Sequence, residues 1–250
     1  MIYLLPETEA NARRFAHDLL AELTTTHSEL AQVETGYIAG YRAVVSLQAW
    51  REFYFGPRQP ECATEFLLEC QNDALQSVAL SLLGMWRPAL QSLRSALEGC
   101  LNAAYYADHP VEARLWGVGK FDTTFSGLIR YFEDHPMQVY TPPRLNPLPA
   151  FRKEYKELSH AVHASRVSFR MSKEGQISLS RNDGALRSMW LTRHRKTLVA
   201  MNLLLCGLYR EQIAAPAYVN LRKAVSLVIP DRLRAAMGAT WGVRLYAARA

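Results

Sequence analysis

The sequence predicts an all-α protein in which about eight helices form one bundle domain over residues 1–250. Apolar residues recur at three- and four-residue spacing through most of the chain, which is the period of a helix face. Prolines stand where first helical turns are expected, as at Pro88, Pro216 and Pro230. The apolar fraction of 49% and the charged fraction of 21% are typical of a globular chain and exclude a disordered one.

The first half of the chain is predicted to form five helices. Their expected ranges are 6–23, 28–55, 63–84, 86–106 and 108–132. Gly84 is expected to end the third helix, and Gly117 with Gly119 to bend the fifth. Four aromatic residues stand at the end of the second helix, namely Trp50, Phe53, Tyr54 and Phe55. Two interpretations of these aromatics stay open: packing in the core, and stacking on nucleic-acid bases.

A proline-rich loop over residues 136–149 separates two halves of opposite charge. Residues 1–143 carry a formal charge of −7, whereas residues 144–250 carry +13. A basic half of this size attracts polyanions, and nucleic acid is the commonest of these. The other interpretation is that the two halves face each other, within one monomer or between the subunits of an oligomer. Both interpretations stay open.

The second half is predicted to contain further helices and one small β-hairpin. After the helix that holds Tyr155, helices are expected over residues 185–213 and 216–229, and a last one begins at Pro230. Apolar and polar residues alternate over residues 167–180, and this pattern predicts the hairpin. The basic side chains predicted to contact nucleic acid are Arg166, Arg170, Lys173, Arg187, Arg193, Arg195 and Lys196.

The helix around Tyr155 holds the strongest candidates for chemistry, because two histidines, a tyrosine, a serine and a carboxylate crowd onto it. At about 100° per residue, Tyr155 and Ser159 share the apolar face and His163 lies at its edge. His160 and Glu157 are expected on the opposite side, towards solvent. Two interpretations of His163 stay open: a tie from the helix end to a backbone carbonyl, and a catalytic or ligand-contacting group.

A second candidate group lies on the helix predicted over residues 86–106. Arg94 and Glu98 are four residues apart, so they can form an ion pair on the helix surface. Such a pair is often purely structural. The functional interpretation is that this edge meets the face of Tyr155 and His163. Arg94 would then bind a phosphate, Glu98 would orient it, and His163 would be the general acid/base.

Several chemistries are excluded because their motifs are missing from the sequence. It contains no glycine-rich phosphate loop, no nucleophile elbow and no His-Glu-x-x-His pattern. The four cysteines lack metal-ligand spacing and suit reduced, buried thiols. We therefore expect no metal and no cofactor. With neither a signal-peptide pattern nor an apolar run long enough to span a bilayer, a cytoplasmic protein without a membrane partner is expected.

Two motifs over about residues 60–165 resemble a known group of proteins. They are Arg94-Ser-Ala-Leu-Glu98 and, further along, Tyr155-x-x-Leu-Ser159-x-x-Val-His163. Together they resemble bacterial all-helical families allied to the HEPN superfamily. The resemblance implies an all-helical, commonly dimeric protein of toxin–antitoxin or phage-defence type. It also implies a metal-independent ribonuclease or a non-catalytic relative, with the five motif residues numbered here as the site.

The chain departs from the catalytic pattern of that superfamily, in which an Arg and a His are separated by four residues. Leu158 stands where the Arg would precede His163. Arg130 and His135 do have the required spacing and form a second candidate pair.

The leading hypothesis is a nucleic-acid-directed effector or accessory protein of bacterial defence, with RNA preferred over DNA as the ligand. The alternative is a non-catalytic interaction protein whose charged halves mediate oligomerisation or partner binding. A small-molecule enzyme with a pocket in its aromatic core is a third class.

Overall fold

The computed structural model describes residues 5–31, 34–163, 165–172 and 178–246. Within these ranges the chain is all-α, as predicted, and forms ten helices of eight or more residues, more than the eight expected. The first six are α1 (Leu5–Ala31), α2 (Glu34–Trp50), α3 (Glu61–Leu82), α4 (Trp86–Asp108), α5 (Pro110–Gly117) and α6 (Phe125–Asp134). The other four are α7 (Leu148–Val162), α8 (Gly184–Leu208), α9 (Val219–Ser226) and α10 (Asp231–Trp241).

Shorter helical segments join some of these helices. They are Arg51–Phe55 (a π-helical turn), Gly56–Arg58, Pro136–Val139, Val167–Phe169, Arg210–Ile213 and Pro216–Tyr218. The prediction missed Gly56–Arg58, Pro136–Val139 and Val167–Phe169, because one turn contains too few residues to reveal a helical period. It included the other three segments in longer helices, over residues 28–55, 185–213 and 216–229.

The centre of the bundle is a hairpin of two helices, α3 and α4, which pack against each other along most of their length. Gly84 makes the turn between them with φ of 69°. A Cβ at this position would lie 2.7 Å from the carbonyl oxygen of Arg181 and 2.7 Å from Cγ2 of Thr26. Glycine is therefore required here both for its backbone conformation and for the close approach of two other segments.

The helices α7 and α8 pack on α4 and on each other, and α8 also contacts α2. The second half of α8 is almost entirely buried because it crosses the interior of the bundle. Asn202 lies in this buried stretch, where its side chain accepts a hydrogen bond from Nε1 of Trp50 at 3.0 Å. Its amide nitrogen donates to Ser46 Oγ at 2.8 Å and to the Leu198 carbonyl at 2.9 Å.

The aromatic end of α2 belongs mainly to the core. Trp50, Tyr54 and Phe55 are buried, and the Tyr54 ring packs 4.5 Å from that of Tyr209. Phe53 alone of the four predicted aromatics is exposed. Core packing is therefore the correct interpretation for the three buried rings, which are unavailable for stacking on bases.

The predicted fifth helix is two helices. α5 ends at Gly117, Gly119 has φ of 70°, and α6 begins after Thr124. The Thr124 hydroxyl accepts a hydrogen bond from the backbone N–H of Gly127 at 3.1 Å and so caps α6. The two glycines do not bend one helix; they lie at the end of α5 and in the loop that leads to α6.

The predicted β-hairpin over residues 167–180 is wrong for the described part of that range. Val167–Phe169 is a 3₁₀ turn, and residues 170–172 and 178–183 are irregular. Residues 173–177, which include the predicted turn and Lys173, lie outside the described residues. The second segment bonds to the α3–α4 turn instead of to a strand: Ser180 Oγ donates to the Leu83 carbonyl at 2.6 Å, and Arg181 N–H to that of Gly84 at 3.1 Å.

The N-terminal helix α1 packs on the bundle through its last turns, where Thr26 and Leu30 are buried. From residue 7 to residue 18 every side chain is exposed, including Phe15 at 58%. None of the helices in the described ranges has both the length and the apolar character needed to cross a membrane.

Candidate functional site

Arg94, Glu98 and Tyr155 meet where α4 crosses α7. The Arg94 guanidinium donates through one nitrogen to Tyr155 Oη at 2.7 Å and to Glu98 Oε1 at 3.2 Å. Its carbon lies 4.7 Å from the centre of the Tyr155 ring, so the cation also contacts the aromatic face. The Phe125 ring of α6 stacks parallel to the Tyr155 ring, with the two ring centres 3.6 Å apart. The sequence thus correctly predicted that these two helix edges meet.

Burial raises the pKa of Glu98, and the adjacent Arg94 opposes part of that rise. The Nε of Arg94 is buried and has no hydrogen-bond partner within the described residues. The guanidinium is therefore held by Glu98 and Tyr155 through one nitrogen, and its Nε–H is a buried donor without a partner in the described residues. In this arrangement Arg94 joins α4 to α7, and the group as a whole is only partly exposed.

His163 does not join this group. It is the exposed residue that ends α7, eight residues after Tyr155, or about 12 Å along a helix axis. Ser159 lies between them and donates its hydroxyl proton to the Tyr155 carbonyl at 2.7 Å, so its side chain is used inside the helix. The expected convergence of an Arg, a Glu and a His at one point is therefore limited to Arg94, Glu98 and Tyr155.

The end of α7 is instead held by another arginine of α4. Arg87 donates to the carbonyls of Ala161 at 2.9 Å and of Val162 at 2.7 Å, which are among the last carbonyls of the helix. Since Arg87 satisfies this helix end, the His163 side chain is not needed as a cap. In the described part of the chain, the His163 ring forms no hydrogen bond with other side chains or with the backbone.

His160 and Glu157 are not on a solvated face, contrary to expectation. The His160 ring is half-buried, with Nδ1 at 2.8 Å from Ser165 Oγ, while its Nε2 is buried without a partner in the described residues. A Ser–His pair of this kind lacks a carboxylate on the far nitrogen, which a nucleophilic triad requires.

The second candidate pair, Arg130 and His135, lines a cleft of about 430 Å³ at the end of α6. His135 Nδ1 accepts the backbone N–H of Met137 at 3.1 Å, and its Nε2 lies 3.4 Å from the Asp108 carboxylate. Both ring nitrogens therefore have protein partners, and neither is free for a substrate proton. Asp108 also accepts from Tyr131 Oη at 2.8 Å, so His135 belongs to a structural network.

Of the predicted nucleic-acid-binding residues that the structure describes, Arg193 and Arg166 are paired with carboxylates of α7, and the others are not. Arg193 is internal: it binds both carboxylate oxygens of the buried Glu154 at 3.1 and 3.2 Å, and Glu157 at 3.2 Å. Arg166 binds the same oxygen of Glu157 at 3.0 Å. Arg187 is half-buried, whereas Arg170, Arg195 and Lys196 are exposed.

A basic groove of about 660 Å³ lies between α7, α8 and the start of α10. The five cations that line it are all exposed: Arg144, Lys153, Arg195, Lys196 and Arg232. Within the described part of the chain, none of them forms an ion pair. Glu154 is the one carboxylate that lines the groove, and it forms an ion pair with Arg193, which does not line it. Its floor is apolar, with Val199, Leu203 and Leu233 among the lining side chains.

Three of these cations were missed by sequence reasoning. Arg144 and Lys153 are nine positions apart, but Arg232 follows Lys153 by 79 positions and joins them only when α7, α8 and α10 pack. The net charge of the second half signalled an excess of cations, but not which of them share a surface.

The two charged halves of the chain are joined by little direct pairing. Among the described residues, one ion pair crosses between them, from Arg152 to Glu133, and it is exposed. The other ion pairs of the basic half lie within that half. The described residues contain no group of three or more histidine, cysteine, aspartate or glutamate side chains placed to hold a metal ion.

Comparison with known proteins gives no relative for this chain. No protein-family model, no curated protein and no solved structure matches it.

Proposed function

We propose that the protein binds nucleic acid, RNA in preference to DNA, by holding the phosphate backbone in the basic groove. The observation that supports this is the set of five exposed cations on one groove without ion-pair partners in the described residues. Unpaired cations around a concave surface attract a chain of phosphates and release its counterions on binding. The apolar floor suits sugars and base faces better than it suits a compact inorganic anion.

The resemblance of residues 60–165 to HEPN-allied families supports a place for this binding in a bacterial defence or toxin–antitoxin system. On this proposal the protein is an effector or accessory that binds RNA, and in its enzymatic form it cleaves RNA without a metal ion. Its fold alone does not decide between catalysis and binding, because one fold supports many activities.

The test is binding of a labelled single-stranded RNA by fluorescence anisotropy over a series of salt concentrations. If all five cations contact phosphates, log Kd should change with log salt with a slope of about 3.5 in magnitude. The double variant Lys153→Glu with Lys196→Glu should bind more than tenfold more weakly and lower that slope by about 1.4. A duplex DNA of equal length, run in parallel, tests the preference for RNA.

A matched control changes two cations outside the groove. Arg114 and Lys120 are exposed, and neither lines the groove. Arg114→Glu with Lys120→Glu makes the same change in net charge, so it should reduce affinity by less than threefold. Equal losses in the two double variants would mean that binding follows net charge alone, and the groove would be rejected as the site.

The enzymatic form of the proposal assigns RNA cleavage to His163, because its imidazole is exposed and free of protein hydrogen bonds in the described residues. His163→Ala should then abolish cleavage of a mixed RNA while leaving anisotropy unchanged. Arg94→Ala should reduce cleavage less, since Arg94 is held by Glu98 and Tyr155 about two helical turns away. Equal cleavage by wild type and His163→Ala would remove His163 from the chemistry.

An assembly function is the second candidate, and the exposed apolar residues of α1 favour it. Phe15 and Leu20 are 58% and 68% exposed on a helix whose first half touches little else. Exposed apolar side chains of this kind are suited to contact with a second subunit. A sizing column at low and high salt tests for assembly: an assembly held by its charged halves dissociates with salt, an apolar α1 contact persists, and a monomer at both salts rejects this candidate.

A further inference from the structure

A second opening adjoins the basic groove. It is a cleft of about 690 Å³ between α2, α8 and the segment from α9 to the start of α10. Arg195 and Pro230 line both the cleft and the groove, so the two openings border each other at these residues. The volume is within the range of roughly 300–1,000 Å³ that is usual for small-molecule sites.

The α2 wall of the cleft consists of small residues, namely Gly36, Ala39 and Gly40. A Cβ at Gly36 would lie 2.9 Å from Leu191 of α8, and one at Gly40, which is buried, would meet Trp190 at 3.4 Å and His194 at 3.8 Å. The two glycines therefore let α2 pack closely on α8, and Ala39 is the exposed α2 residue that borders the cleft.

His194 carries a hydrogen-bonding capacity that the protein leaves unused. Its side chain is 1% exposed, and its Nε2 is buried without a hydrogen-bond partner in the described residues. Burial lowers the pKa of His194 to about 4, so the ring is neutral near pH 7. A neutral imidazole has one donor and one acceptor, and a buried polar group without a partner costs stability that a ligand can recover.

The rest of the cleft combines apolar walls with charge only at its mouth. Leu191 and Ile229 line it, and exposed Arg195 stands where it meets the groove. Asp231, which also lines the cleft, is paired with Arg234. A flat, apolar body with polar edges, attached to a phosphate, matches this distribution, and that is the chemistry of a nucleotide.

We propose that this cleft, here called the His194 cleft, takes one unpaired base of the RNA whose phosphates lie in the basic groove. The inference rests on the proposed function and adds a preference for single strands, because a base must leave the stack to enter. Duplex RNA presents phosphates to the groove but cannot insert a base without paying for unpairing.

The first measurement uses the wild-type protein, so it does not depend on how any variant folds. An RNA octamer is compared by anisotropy with an octamer of the same sugar-phosphate backbone that lacks bases, and with a duplex of the same length. The intact single strand should bind about tenfold more tightly than either, since stacking and burial of one base contribute on that scale. Equal affinity for all three would overturn the cleft while leaving the groove in place.

The second measurement narrows the cleft. Ala39→Leu, at an exposed residue that lines the cleft, should reduce the affinity for the intact octamer about tenfold and leave the base-free octamer and the salt slope unchanged. His194→Leu, which removes the polar edge but keeps the volume, should act in the same direction. Ala185→Leu is the matched control, because Ala185 is exposed and lines neither the cleft nor the groove.

The outcomes separate the two proposals. If wild type binds no RNA at low salt, the proposed function fails, and the inference fails with it. If the groove variants lose binding while both cleft variants keep the wild-type preference for bases, the groove stands and the cleft is rejected. Loss of that preference in Ala39→Leu and His194→Leu, with folding verified by circular dichroism, supports the cleft.

Discussion

Asn202 is the residue whose role the sequence described least well. It interrupts the longest apolar run of the chain, yet the structure places it in the buried second half of α8, with no exposed surface. Its side-chain oxygen and nitrogen are both used, by Trp50, Ser46 and the Leu198 carbonyl. A buried amide with all these partners fixes how α2 and α8 pack, because any other register would leave polar groups unpaired.

Asn202→Ala should lower the free energy of unfolding by about 3 kcal/mol, since it leaves the Trp50 indole N–H and the Ser46 hydroxyl buried without this partner. Urea denaturation followed by circular dichroism measures this. Gln48→Ala removes an exposed amide that bonds Glu52 and should cost less than about 0.5 kcal/mol. Similar values for the two variants would mean that the Asn202 contacts contribute little.

His194 should make stability depend on pH. Burial lowers the pKa of His194 from the usual 6.5 to about 4. Between these values the unfolded chain binds a proton that the folded protein does not, so stability is full above pH 6.5 and falls as pH is lowered towards 4. The loss should approach about 3 kcal/mol. His194→Leu should flatten this part of the curve, and parallel curves for wild type and variant would contradict the assignment.

At the scale of elements, the junctions of α7 with its neighbours are made by arginines. Arg87 and Arg94 of α4 bind the end and the middle of α7, and Arg193 of α8 binds Glu154 and Glu157 on another side. Arginine suits these junctions because its planar fork serves several acceptors at once. The candidate residues of the Tyr155 helix are therefore positioned by three arginines from two other helices.

Arg193→Ala should destabilise the protein by about 3 kcal/mol, because the carboxylate of Glu154, only 1% exposed, would stay buried without its partner. The double variant Arg193→Ala with Glu154→Leu should recover much of this loss, since the uncompensated charge is gone. The control is Arg152→Ala, which breaks an exposed pair with Glu133 and should cost less than about 1 kcal/mol. Thermal and urea unfolding of the three variants measure these differences. A double variant no more stable than the single one would show that burial of charge is not the cause.

At the scale of the whole molecule, the acidic and basic halves pair with each other at a single ion pair among the described residues, and five cations of the basic half line one groove. The internal pairs of the basic half use Arg166 and Arg193, and they leave the groove cations unpaired within the described residues. The interpretation that the halves neutralise each other inside the monomer therefore has little support. Neutralisation between subunits stays a prediction.

Removal of residues 1–18 should change the free energy of unfolding of a monomer by less than about 1 kcal/mol, because every side chain from residue 7 to residue 18 is exposed. Denaturation at several protein concentrations measures this. If the full chain becomes more stable as its concentration rises, and the truncated chain does not, then α1 packs on a second copy. That result would favour the assembly function.

The sequence by itself determined the all-α class and most helix positions, because a helical period repeats within a few residues and can be recognised from the order of residues alone. The contact between Arg94 and Tyr155 was also predicted from the sequence, since each residue lies on or beside the apolar face of its helix. Only the tertiary structure decided which charged residues share a surface. Lys153 and Arg232 are 79 positions apart in the chain and line one groove, whereas Arg193, two residues before Arg195, turns inward to Glu154. Likewise, residues 178–183 bond to the α3–α4 turn rather than to a strand, because their partners come from distant segments that no local pattern specifies.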